Sequence, residues 1–212
     1  MNQYKKWQAQ RIAQEMVGLL KAKSYNALYA EDLAAAKQLI LDMIPSGSSV
    51  AVGGSETLNA MGLVELFRDG DYQFFDRYQK IPFAEIVEIY RQSLLADFLV
   101  TGTNAVTRQG ELVNMDSSGN RVAGMIFGPR QVIVAAGVNK VVDGLDEALQ
   151  RIRRIAPLNA KRLGHLTPCA ESGKCMDCQV PARICNAIGI INHGMKFAGR
   201  ITVIMIAEEV GF

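Results

Sequence analysis

The sequence contains no apolar run near the roughly 20 residues that span a bilayer. Its opening stretch, MNQYKKWQAQRIAQ, is too polar for the apolar core of a secretory signal. Both absences point to a soluble cytoplasmic protein with no membrane partner. Charge of one sign is also missing: 23 Lys and Arg meet 21 Asp and Glu, a net of +2. A broad basic face for nucleic acid is therefore not expected, because it requires many uncompensated cations. Aromatics are scarce at 7%, which removes a stacking platform for single strands. With only two histidines and no G-x-S-x-G, a Ser-His-Asp nucleophile elbow is excluded as well. Cysteine is absent from the first 168 residues.

What is present fits one globular α/β domain over residues 1–212. Hydrophobic residues make up 49% and charged residues 21%, ordinary values for a chain that buries a core without disulfides or metal. Trp7, Ile12, Met16, Leu19 and Leu20 lie near helical spacing, and Leu33, Ala36, Ile40, Met43 and Ile44 define a second helix that must stop at Pro45. The β-branched run Ser49–Val52 predicts a strand ending at Gly53-Gly54, followed by helix from Glu56 to Phe67. Tyr72–Phe75 predicts a strand, and Pro82 opens a helix carrying Phe83, Ile86, Val87, Tyr90 and Leu94.

Asp97–Gly102, Gln131–Ala136 and Ile201–Ala207 read as buried strands. Glu111–Asp116 and Arg121–Phe127, joined by Ser117-Ser118-Gly119-Asn120, predict a β-hairpin. A helix marked by Leu145, Ala148, Leu149, Ile152 and Ile155 should end before Pro157. Strands without polar alternation, separated by helices, imply a mostly parallel sheet covered on both faces, with the hairpin added. No repeat or Pro/Gly-rich linker divides the chain.

Ligands of open α/β sheets bind beyond the carboxyl ends of the strands, which singles out three segments. In Gly53-Gly54-Ser55-Glu56-Thr57 the glycines let backbone approach an anion, and Ser55 and Thr57 add hydroxyls. The alternative is a tight turn with Ser55 capping the helix. Neither the Walker nor the dinucleotide fingerprint is present. Thr101, Thr103 and Asn104 offer small hydrogen-bonding groups at the next strand end. In Gly110–Asp116, alternation puts Glu111 and Asp116 on opposite strand faces, so they do not form a close acid/base pair. Glu111 is the candidate acid/base group; the alternative is a solvated hairpin charge.

The four cysteines, Cys169, Cys175, Cys178 and Cys185, follow the pattern C-x5-C-x2-C-x6-C in a loop at about 165–186. A C-x2-C turn lets two thiolates converge on one metal, and Pro168, Gly173 and Pro181 favour a wrapping loop. Four thiolates suit zinc or an iron–sulfur cluster, and the spacing matches neither ferredoxin pattern, so the two stay undecided. Free or reversibly oxidised thiols are the alternative. His165 and His193 read as turn residues rather than ligands.

Three long segments, VAVGGSETLNAMGL at 50–63, ADFLVTGTNAVTRQGELVNMDSSGNRVAGMIFGPRQVIVAAGVNKVV at 96–142 and the closing RITVIMIAEEVGF, together with the cysteine segment, resemble the LUD-domain family of lactate-utilisation proteins. The resemblance is nearly full length. It implies a fold similar to the sugar-phosphate isomerase and coenzyme A transferase superfamily, with Gly53, Gly54, Ser55 and Thr57 at the positions of an anion-cradling loop. It also implies a link to oxidation of lactate to pyruvate beside iron–sulfur subunits. The catalytic glutamate motif of the transferases and the acidic and lysine motifs of the isomerases have no clear equivalents. The resulting expectation is an oxidoreductase component that binds a small anion and carries a four-cysteine metal or iron–sulfur site. Its competitors are a non-catalytic sensing or assembly protein with structural zinc, and a transferase or isomerase acting on a phosphorylated or coenzyme A-linked substrate. A homo-oligomer is compatible with each of these.

Overall fold

The computed structural model describes residues 2–194 and 196–212. Its centre is a six-stranded sheet in the order β1 (Asn26–Ala30), β10 (Ile201–Ile206), β7 (Gln131–Gly137), β4 (Phe98–Gly102), β2 (Ser49–Val52), β3 (Gln73–Phe75). Every pairing in it is parallel. The side-chain period of two sorts residues between the faces. Val132, Val134 and Ala136 of β7 pack with α1 (Gln3–Ala22) through Ala13, Met16 and Leu20. Ile133 and Ala135 point to the other face, against α2 (Leu33–Met43), α3 (Glu56–Ala60) and α4 (Leu63–Asp69) through Ile40, Leu58 and Phe67. Burial on both faces is why these strands carry so few polar residues.

A second sheet of four strands has the order β8 (Val141–Val142), β5 (Ala105–Thr107), β6 (Leu112–Asp116), β9 (Ala187–Ile191). It contains the antiparallel hairpin, but between β5 and β6 rather than between Glu111–Asp116 and Arg121–Phe127. Residues 121–127 fall instead in and just beyond α6 (Asn120–Ile126). Short apolar runs do not separate strand from helix by pattern alone. Here Gly119 turns the chain at φ 76°, and the Asp116 carboxylate accepts the Val122 N–H at 2.8 Å in the helix's first turn.

Two more expectations change. The helix expected over Glu56–Phe67 breaks into α3 and α4 at Gly62, whose φ of 64° is left-handed. Pro157 does not end its helix: α7 (Leu145–Arg162) runs through it. Proline removes one donor and crowds one carbonyl, yet the turns around it bury Ala156, Pro157 and Ala160, and α7 packs on α8 (Pro168–Ser172). Between α4 and β4 lies α5 (Phe83–Ser93), where expected. Among the described residues no helix is long and apolar enough to cross a membrane.

Because the central sheet is parallel, the forward ends of β2, β4 and β7 arrive side by side, with Val52 opposite Val100 and Gly102 opposite Ala135. Three loops leave from that edge: the glycine bend at 53–55, the segment at 103–104, and a single 3-10 turn, Val138–Lys140.

Candidate functional site

The glycine bend is built by close approach. A Cβ on Gly53 would overlap the Thr101 hydroxyl and sit 2.9 Å from the Thr101 Cβ, so only glycine fits beneath that side chain. A Cβ on Gly102 would lie 2.7 Å from Ser55 Oγ. The Gly53 N–H continues the sheet pattern to Val100 O at 2.9 Å. Among the described residues, no protein acceptor takes the N–H of Gly54 or Ser55. Ser55 occupies the N-cap position of α3 but makes no capping bond with its side chain, so the plain capped-turn alternative does not describe this bend. Thr57 is fully buried and its hydroxyl donates to Val210 O at 3.3 Å.

Thr103 and Asn104 stand beside the bend but act mainly as supports. Thr103 Oγ1 donates to Ala105 O and Val113 O. Asn104 Oδ1 accepts the Met115 N–H and an Arg121 N–H, each at 2.8 Å. Arg121 is the group they hold. Its Nε and Nη2 donate to Asp116 Oδ1 at 2.8 and 2.6 Å, and Nη2 also reaches Met115 O. Its Nη1 has no protein acceptor among the described residues, and the side chain lines both cavities at this edge. The sequence reading missed Arg121 because it was assigned to a strand.

Lys140 was missed as well. It ends the 3-10 turn after β7 and is 3% exposed. Its ammonium donates to Thr57 Oγ1 at 3.0 Å, a contact between residues 83 positions apart. Burial first, then the charges of Arg151 and Arg121, lower its pKa to about 7. Arg151, on α7, spends its donors on the carbonyls of Asn139 and Asn104. The only available sequence signal was a lysine three residues beyond an apolar strand, which is commonplace.

Lys140, Ser55, Thr103 and Arg121 enclose a small corner of about 30 Å³. Gly54, Asn104 and Arg121 also line a larger cleft of about 240 Å³ between α5 and α7. Its lining includes Tyr78, Tyr90, Ile152 and Ala156, with His165 and Cys185. Arg77 lies on the rim, its guanidinium 4.7 Å from the Tyr90 ring centroid and donating to the hydroxyl of that residue at 2.8 Å.

Glu111 is not brought to this corner. It precedes β6, whereas Asp116 at the opposite end of that strand is the residue that borders the cleft. Five strand positions separate the two by about 17 Å. The Glu111 carboxylate accepts the Thr107 hydroxyl at 2.7 Å. The neighbourhood expected for it beside Gly53–Thr57 is not formed.

The cysteine segment begins on α8, where Cys169 is buried with Sγ 3.2 Å from Thr167 Oγ1. Cys175 is exposed, Cys178 and Cys185 are half-buried, and all four are free thiols. Arg183 shapes the loop by donating to the carbonyls of Cys178 and Cys185 and to Asp177. Burial pushes the Cys185 thiol up; Cys175, Cys169 and Cys178 add to the effect and Arg183 opposes it. Among the described residues, however, no three His, Cys, Asp or Glu side chains are assembled into a metal-binding group. The donor set fits a thiophilic metal by chemistry but not by convergence of the sulfurs.

The LUD domain profile matches residues 13–206. Among solved structures, a DUF162 family protein from Deinococcus radiodurans superposes with a TM-score of 0.53, covering 93% of this chain and 97% of that one at 11% identity. That likeness is one of fold. eIF2B delta from Chaetomium thermophilum aligns over 50% of this chain and 47% of its own, at 16% identity and a TM-score of 0.32, too low to carry an argument. No curated protein matches the chain.

Proposed function

The chain belongs to the LUD-domain family, and we propose that it serves organic-acid oxidation of the lactate type by binding a small 2-hydroxy or 2-oxo carboxylate in the corner beyond β2 and β4. The free N–H groups of Gly54 and Ser55 and the Nη1 of Arg121 are the donors for the carboxylate, since oriented amides and a guanidinium suit an anion. Asn104 and Asp116 orient Arg121 and keep its remaining donors occupied.

The cysteine segment is read as the holder of a thiophilic metal or iron–sulfur cluster, with Cys169, Cys175, Cys178 and Cys185 as ligands. Bound there, a cluster would supply one-electron transfer. Oxidation of a 2-hydroxy acid to a 2-oxo acid releases two electrons and two protons, so partner iron–sulfur subunits are the acceptors this reading calls for. The observation that carries it is the shared cleft, whose lining includes Gly54, Arg121 and Cys185.

The test is elemental and sulfide analysis with a visible spectrum on protein prepared without oxygen, combined with calorimetric titration of L-lactate and pyruvate. Iron with acid-labile sulfide and binding of either acid supports the reading. One zinc per chain without acid binding favours the sensing or assembly protein. Neither metal nor acid binding would reject the proposal.

A further inference from the structure

We infer that Lys140 joins Arg121 as a cation that receives the ligand's anionic group, and that the anion binds together with a proton carried by Lys140. This deepens the reading above and rests on it for the location and sign of the ligand. It goes beyond it by naming a residue outside the glycine bend and by coupling occupancy of the corner to pH.

Three observations converge on Lys140. The first is its isolation. Among the described residues no carboxylate forms an ion pair with it, although it is 3% exposed. Each of the other buried cations is paired with a carboxylate or with several carbonyls of the protein, although Arg121 keeps its Nη1 free. Arg121 has Asp116, Arg151 has the carbonyls of Asn139 and Asn104, and Arg200 has those of Pro129, Met125 and Gly124. An ammonium has three donors, and among the described residues Lys140 finds one acceptor, Thr57 Oγ1. A buried cation in this state is costly unless something else pairs with it.

The second is the space beside it. The corner of about 30 Å³ exceeds the roughly 10–15 Å³ that one water needs, which leaves room for the oxygens of a carboxylate. It shares Gly54, Asn104 and Arg121 with the cleft, so the rest of a ligand has space adjoining it.

The third is the surrounding charge. Arg151 on α7 and Arg121 on α6 both act on Lys140 with the same sign. The nearby acids are engaged elsewhere: Asp116 at the end of β6 is held by Arg121, and Glu56 on α3 by Arg162 at 2.8 Å. Phe212 lines the corner but makes no ion pair with Lys140. Burial and these cations leave the free amine near pKa 7, so at neutral pH it is protonated only part of the time. An entering anion replaces the missing counter-charge and favours the protonated form.

The linkage has a definite direction. Below about pH 7 Lys140 already carries its proton and the anion enters alone. Above it, each anion brings a proton, and affinity falls by up to about tenfold per pH unit until the pKa of the complex is passed. Pyruvate is the probe, because it stays ionised throughout this range. Calorimetry of the full chain at about pH 6 and about pH 8.5, each in two buffers of different ionisation heat, reads proton uptake directly. The expected result is uptake near zero at the lower pH and approaching one proton at the higher, with weaker binding there. Lys140→Arg, whose guanidinium stays charged, should bind without uptake at either pH, and Lys140→Gln should bind weakly and without uptake. Wild-type protein that binds pyruvate equally at both pH values, with no proton taken up, would overturn the inference and leave the site reading standing. No binding of pyruvate, L-lactate or inorganic phosphate at either pH would remove both.

Discussion

Arg121 and Asp116 form an ion pair of 2.6 Å with side chains only 10% and 7% exposed, closing the turn between β6 and α6. The pair joins fold to site. Asp116 also takes the Val122 N–H and so orders the first turn of α6. The same carboxylate fixes the guanidinium that faces the corner.

Removing one partner of this pair leaves a buried charge uncompensated. Arg121→Met is expected to lower unfolding stability by about 3–5 kcal/mol, read from urea denaturation. Arg121→Met combined with Asp116→Leu should recover part of that loss. A change below about 1 kcal/mol in the single variant would mean that the pair is effectively solvated.

Lys140 should make the free protein's stability depend on pH. Its pKa of about 7 in the fold lies below the roughly 10.4 of an unfolded lysine. Between those values the unfolded chain binds more protons, so stability rises with pH. Relative to Lys140→Met, the wild type should gain up to about 5 kcal/mol across this window. Paired thermal melts of both proteins at the two ends would read the difference; parallel curves would contradict it.

Gly53→Ala places a methyl group against Thr101. The overlap should cost about 1–3 kcal/mol and weaken anion binding by displacing the bend. Adding Thr101→Ala removes the obstructing hydroxyl but leaves the Cβ at 2.9 Å, so it should restore only part of the stability. A double variant as unstable as the sum of the single changes would locate the strain elsewhere.

Cys175→Ser with Cys178→Ser should abolish metal retained through anaerobic purification, by the same elemental assay. Cys185→Ser should in addition alter pyruvate affinity, since that residue lines the cleft, whereas Cys175→Ser alone should leave affinity unchanged. Equal metal content in wild type and the paired variant would remove the cysteines as ligands.

Much of the architecture was readable because parallel strands must bury both faces. The runs at 49–52, 98–102, 131–136 and 201–206 lack polar alternation for that reason, and each is a strand of the central sheet. The glycine bend was readable too, since a Gly-Gly pair between an apolar strand and a helix has few other uses. Residues 121–127 were not, because a short, mostly apolar run satisfies either period, and the choice fell to Asp116 and the left-handed Gly119. The course of α7 through Pro157 was hidden in the same way, since packing on α8 is invisible to a local pattern.

The sequence by itself therefore determined which segments are buried strands and where a glycine-floored bend must follow one of them, because those outcomes depend on local period and on the space a side chain occupies. Only the tertiary structure decided the company that bend keeps. Parallel crossovers bring Lys140 to Thr57 from 83 positions away, while the direction of β6 carries Glu111 off and leaves Asp116 at the cleft. Electrostatic neighbours are set by distance through space, and no one-dimensional spacing records it.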